Sequence, residues 1–160
     1  MANVGKVGAD LSLEEALEGW PRKARYCFDS LREAVRIDGS EWTGIISALG
    51  RQPVPILNLG DKNVCQVHPD GDRVVVTMVR GKDVMDAVRK DRKLPARVKR
   101  DFATPGKLNF LAELPVAGIA DARAASTVLA LKAACMNGGT RPLKPLKSAA
   151  RKSAQKRKSV

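Results

Sequence analysis

The chain has 160 residues, enough for one domain, and 44% of them are hydrophobic, enough to bury a real core. Aromatic residues make up only 4%, so Val, Leu, Ala and Ile must supply most of that core. The net charge of +12 is uneven: residues 137–160 hold eight Lys/Arg and no acids, leaving 21 Lys/Arg against all 17 Asp/Glu in the first 136 residues. No apolar run approaches the ~20 residues of a membrane span. Asp10, Glu14, Glu15 and Glu18 interrupt any signal-peptide core near the start, so the cytoplasm is the expected compartment. Cys27, Cys65 and Cys135 are far apart and each sits in an apolar pattern, which reads as three small buried hydrophobes rather than a disulfide framework or zinc site.

Residues 1–10, with Gly5 and Gly8 and no periodicity, read as a flexible leader. Ser12-Leu13-Glu14-Glu15 is a capping box that opens a short helix ending near Gly19. Pro21 suits the first turn of a second helix. There Ala24, Cys27, Phe28, Leu31, Ala34 and Val35 form one apolar stripe before Asp38-Gly39-Ser40 stops it.

Residues 41–51 are ambiguous. Trp42, Ile45, Ile46 and Leu49 suit a helical face, but Thr43 and Gly44 weaken it. Pro53 and Pro55 force an extended backbone, and Ile56–Leu59 reads as a strand that the prolines place at an edge. A four-residue turn, Gly60–Asn63, leads to a strand at Val64–His68. The Pro69-Asp70-Gly71 turn then leads to a strand at Arg73–Val79, whose Val74-Val75-Val76 run predicts a central strand covered by helices on at least one side.

A helix follows over Gly81–Asp91, with Val84, Ala87 and Val88 apolar. Another opens at Leu94-Pro95, with Leu94, Val98 and Phe102 spaced by four. Lys107–Leu114 reads as a strand ended by Pro115. Ile119–Cys135 reads as a long Ala-rich helix with Ala124, Val128, Leu131 and Cys135 inward, capped by Asn137-Gly138-Gly139. Residues 137–160, with two Leu and two Pro among the last twenty or so residues, cannot offset their ordering entropy and read as a disordered basic tail. The expected fold is therefore α+β: an antiparallel sheet of about four strands packed against helices over residues 11–136.

This order of helix, helix, antiparallel strands, helix pair, strand and terminal helix resembles the YdhG-like small domains, a group that includes frataxin-like iron-chaperone proteins. The resemblance covers roughly Leu13 to Ala134. Its best part is VRGKDVMDAVRKDRKLPARVKRDFATPGKLNFLAELPVAGIADARAASTVLALKAA, where a helix pair, a strand and a terminal helix with Lys132 near its end follow one another. The likeness implies a fold and transfers no activity. Iron delivery calls for an acidic cluster, and this chain has no dense one.

Three sets of residues are candidates for function. His68, the lone histidine, stands beside Asp70 and Asp72, as a general base or metal ligand would, though a turn histidine among ordinary turn aspartates accounts for the pattern. Trp20, Tyr26 and Trp42 fit either a concave ligand pocket or the large pieces of an aliphatic core. Between Arg80 and Arg100 nine basic residues face three acids, and Arg89, Arg92, Lys93, Arg97 and Arg100 can share one exposed surface. With Arg151, Lys152, Lys156, Arg157 and Lys158 of the tail they make a cationic footprint for a phosphate backbone, without the interleaved aromatics that base stacking needs. There is no G-x-S-x-G, H-E-x-x-H, P-loop or G-x-G-x-x-G pattern, and no cofactor or metal is called for. The leading expectation is a non-enzymatic protein making sequence-tolerant contact with nucleic acid or another polyanion, with no membrane partner. The alternative is a small-molecule or protein-interaction module whose tail only aids solubility.

Overall fold

Capping chemistry starts the chain's order. In the computed structural model, which describes residues 10–48, 51–105 and 110–137, Glu15 N donates to Ser12 Oγ (3.1 Å) and Ser12 N to Glu15 Oε1 (2.8 Å). That reciprocal pair satisfies two amides otherwise left open at a helix start and sets α1, Leu13–Leu17. The Ser12 amide also holds the Glu15 carboxyl below the usual glutamate range. Gly19, at φ +81, turns the chain into α2, Arg22–Ala34. Ala24, Cys27, Phe28 and Leu31 are buried along α2, as their spacing predicts.

The sheet is a six-stranded antiparallel meander in which neighbours follow sequence order, so the fold is α+β with more strands than the expected four. Its strands are β1 (Asp10–Leu11), β2 (Ser40–Ile46), β3 (Pro53–Leu59), β4 (Lys62–Asp70), β5 (Arg73–Val79) and β6 (Leu111–Val116). The helices α3 (Lys82–Lys90) and α4 (Ala96–Ala103) lie between β5 and β6, and α5 (Ile119–Asn137) follows β6. One cluster joins Phe28 and Leu31 of α2, Val84 and Val88 of α3, Val98 and Phe102 of α4, and Val128 and Leu129 of α5 to Leu57, Val67, Val74, Val76 and Leu114 of the sheet. The helices therefore cover one face, and β5 is an interior, helix-covered strand as its valine run predicts, though it lies next to the β6 edge rather than at the centre of the sheet.

Several boundaries differ from the sequence reading for identifiable reasons. The ambiguous stretch after Ser40 is strand β2. Its Gly44 lies under α1: a Cβ there would meet Ser12 O at 2.7 Å, Ala16 Cβ at 2.9 Å and Leu11 Cβ at 3.0 Å. Asp10, expected in the leader, pairs with Ile45 in β1.

β3 lies inside the sheet, yet Pro53 and Pro55 pair only with β2, because its ladder with β4 begins at Ile56. The prolines thus stand where β3 is locally an edge, and no ladder bond to β4 is lost. The two hairpin loops are two residues each, Gly60-Asp61 and Gly71-Asp72, with glycines at φ +65 and +62. Pro69 and Asp70, expected in the second turn, belong to β4.

β6 starts later than expected and runs through Pro115, which the strand tolerates because β6 has only β5 as a neighbour. Phe110, just ahead of β6, is 54% exposed. Residues 107–109 of that expected strand, the leader up to residue 9 and the tail from residue 138 lie outside the described residues. The inward row of α5 is rotated from the expected one. Ala122, Ala125, Val128, Leu129, Lys132 and Ala133 are buried, while Ala124, Leu131 and Cys135 are half-buried. A helix rich in alanine on every side leaves packing, not periodicity, to choose its buried face.

Candidate functional site

The helix pair α3–α4 is locked by side chains that satisfy helix ends. Asp91 Oδ1 accepts from the amides of Lys93 (2.8 Å) and Leu94 (3.0 Å) and so fixes the turn between the helices. Lys99 Nζ on α4 donates to Arg89 O (2.9 Å) in the last turn of α3, where the helix dipole favours a cation. Arg80 Nη1 donates to the carbonyls of Phe102 and Ala103 at the end of α4. Leu94, Val98 and Phe102 hold the pair on the core.

These contacts divide the basic residues. Arg89 is bound by Asp86 (2.9 Å), and Arg97 by Asp101 (3.8 Å) and Asp121 at the start of α5 (2.8 Å). Two of the five predicted phosphate-facing residues of this helix pair and its turn are thus engaged by carboxylates. Arg92, Lys93 and Arg100, together with Lys90, are exposed and have no carboxylate within ion-pair distance among the described residues. The structure therefore presents a smaller cation set than the sequence suggests. Arg151, Lys152, Lys156, Arg157 and Lys158 lie outside the described residues.

The aromatic candidates separate. Trp20 and Trp42 pack edge-on against buried Phe28, with centroids 5.9 and 5.0 Å away, and both are half-buried against the core. Arg32 stacks over the same Phe28 ring at 5.8 Å. Tyr26, 58% exposed, instead lines an open groove of about 510 Å³ between α2 and α5, with Glu33, Ile119 and Arg123.

His68 pairs with Val75 in the interior of the β4–β5 hairpin and is half-buried. Asp70 accepts from Arg73 Nε at 3.0 Å, and the exposed Asp72 carboxylate is 3.9 Å from Lys23 Nζ. Each turn carboxylate thus has its own cation. Among the described residues, no group of three His, Cys, Asp or Glu could hold a metal ion, and no helix is long and apolar enough to cross a membrane.

The burial of one polar group was not anticipated from the sequence. Lys132 is 6% exposed, and its Nζ donates to Val79 O at 2.8 Å, where β5 ends. Burial lowers its pKa. Cys65 on β4 and Cys135 on α5 lie within electrostatic range of it. Burial pushes the Cys65 thiol up to about 12 and raises that of Cys135. The available signal is that Lys132 is the only charged residue from Ala124 to Met136, inside an otherwise apolar helical stretch.

No family model, curated protein or solved structure matches this chain.

Proposed function

We propose that the protein is a non-enzymatic polyanion-binding domain that docks on a phosphate backbone through the α3–α4 corner and the basic tail. The observation that carries this reading is the exposed set of Lys90 on α3, Arg92 and Lys93 in the turn after it and Arg100 on α4, beside which Asp86, Asp91 and Asp101 are already engaged by other groups. Cations with no carboxylate to neutralise them can replace the counterions of a nucleic acid. Each phosphate so neutralised releases a counterion, and affinity then falls with salt in proportion to the number of contacts. The only aromatic on α3 and α4, Phe102, is buried in the core, and the absence of an exposed one there favours contact that tolerates any sequence. Three cysteines without disulfides suit a reducing compartment such as the cytoplasm.

The test is a salt titration of binding to a generic duplex and to a single-stranded RNA. It compares the full chain, a chain ending at Asn137, and the full chain carrying Arg92→Glu, Lys93→Glu and Arg100→Glu. The triple variant should flatten the log–log salt slope by about 2–3 and the truncation should flatten it further. Absence of binding at low salt, or a slope indifferent to both changes, would overturn the proposal.

A further inference from the structure

Lys132 is the one charged side chain buried among the described residues. Its ammonium has three donors, but the fold gives it a single hydrogen bond, to a neutral carbonyl, Val79 O. The groups facing it supply no firm counter-charge. Cys65, behind it on β4, and Cys135, one turn along α5, are thiols whose burial keeps them protonated at neutral pH. On α3, Lys82 and Asp83 stand exposed at the rim with opposite signs. Nothing in this surrounding fully compensates a buried ammonium, and burial lowers the Lys132 pKa from its ordinary value, which makes the proton easier to lose than on an exposed lysine.

The same side chain lines a shallow, open pocket of about 320 Å³ formed by Val79, the first turn of α3 from Gly81 to Val84, and Cys135 and Met136 of α5. That volume is at the lower end of the roughly 300–1,000 Å³ of small-molecule sites, and the walls of Val79, Val84 and Met136 suit a short hydrocarbon. A desolvated amine that a small molecule can reach from an open, partly apolar pocket is an arrangement in which lysine acts as a nucleophile.

We propose that Lys132 is a carbonyl-trapping amine: a small aldehyde or ketone enters the cavity between the end of β5, α3 and α5 and condenses with Nζ. The Nζ lone pair forms the C–N bond as the carbonyl π bond opens onto oxygen. The carbinolamine then expels that oxygen as water, which carries both amine protons, and leaves an imine. No oxidant or reductant takes part, and the reaction reverses by hydrolysis. The site is separate from the α3–α4 cations and stands or falls apart from polyanion binding.

The experiment treats the native full chain at neutral pH with glycolaldehyde (uncharged) or glyoxylate (anionic) in the presence of cyanoborohydride, which fixes any imine as a secondary amine. Peptide mass mapping then compares each lysine. Lys132 should be labelled about tenfold faster than the exposed Lys23, Lys62 and Lys93, and this preference should vanish in denaturant. The Lys132→Met variant, checked by circular dichroism, should lose the fast-labelling fraction, whereas Lys82→Gln should keep it. Labelling of native Lys132 no faster than that of the exposed lysines would overturn the proposal, even if the Met variant failed to fold. If only glyoxylate labels fast, the ligand class narrows to carbonyl anions.

Discussion

Lys132 and Arg92 carry the same formal charge in opposite surroundings. Arg92 stands in water at the α3–α4 corner, among cations of its own sign. Its value is long-range attraction, which salt screens over about 10 Å at 0.1 M. Lys132, on α5, is buried with a carbonyl and two thiols near it and an open, partly apolar pocket beside it. There the charge is a liability, and chemistry at the nitrogen becomes available. A count of basic residues cannot tell these two uses apart; burial does.

The contrast can be strained hardest through Cys65, the thiol beside Lys132. Its pKa rises from an ordinary 9.0 to about 12 in the fold, so the folded state holds the thiol proton more tightly than the unfolded chain. The stability this brings is full below pH 9 and is lost as pH rises through 9 to 12, at about 1.4 kcal/mol per pH unit. Urea midpoints of the wild type should therefore fall over that window relative to Cys65→Ala, and parallel curves would mean that the interior is wet. Lys132 has the opposite sign. Its folded pKa is depressed, so its ammonium penalises the fold at neutral pH, and the penalty disappears as pH rises towards 10.5. Lys132→Met keeps the volume and should stabilise at pH 7 by about 1 kcal/mol, a gain that shrinks by pH 10.5. Arg92→Met should stay within about 0.5 kcal/mol at every pH. Equal effects from the two substitutions would erase the contrast.

The smallest test shows that exposure alone does not make a polar residue neutral. Ser12 is exposed, yet Ser12→Ala should cost about 1 kcal/mol by thermal melting, because an amide of α1 loses its acceptor.

Much of the frame was legible from local chemistry. The Ser12–Glu15 box, the α2 stripe, the spacing of Leu94, Val98 and Phe102, and the glycine turns each depend on residues a few positions apart. The parts that were not legible depend on distant partners. Gly44 looks like a flaw in any element until α1 is seen resting on it. Pro115 looks like a strand end until β6 is seen to have one free side. The two residues of β1 are a strand only because β2 is beside them.

The same holds for the candidate sites. An excess of cations is visible in the composition, but the engagement of Arg97 is set by Asp121, 24 residues away. The buried face of α5 could not be read because alanine marks no side, and the burial of Lys132 went with it.

The order of the strands has a kinetic consequence. From β2 to β5 each strand is joined to the next by a short loop and pairs with it directly. Contacts this local carry little loop-closure entropy, so the two tight hairpins around β4 can zip first and template their neighbours. Longer searches remain for β6, which must return across α3 and α4, and for β1, which must meet β2 across α1 and α2. The cavity beside Lys132 is bounded by β5, α3 and α5, so it closes only once the chain has passed β6 and laid its last helix down. A chain halted in synthesis before α5 would carry the α3–α4 cations and lack the cavity altogether.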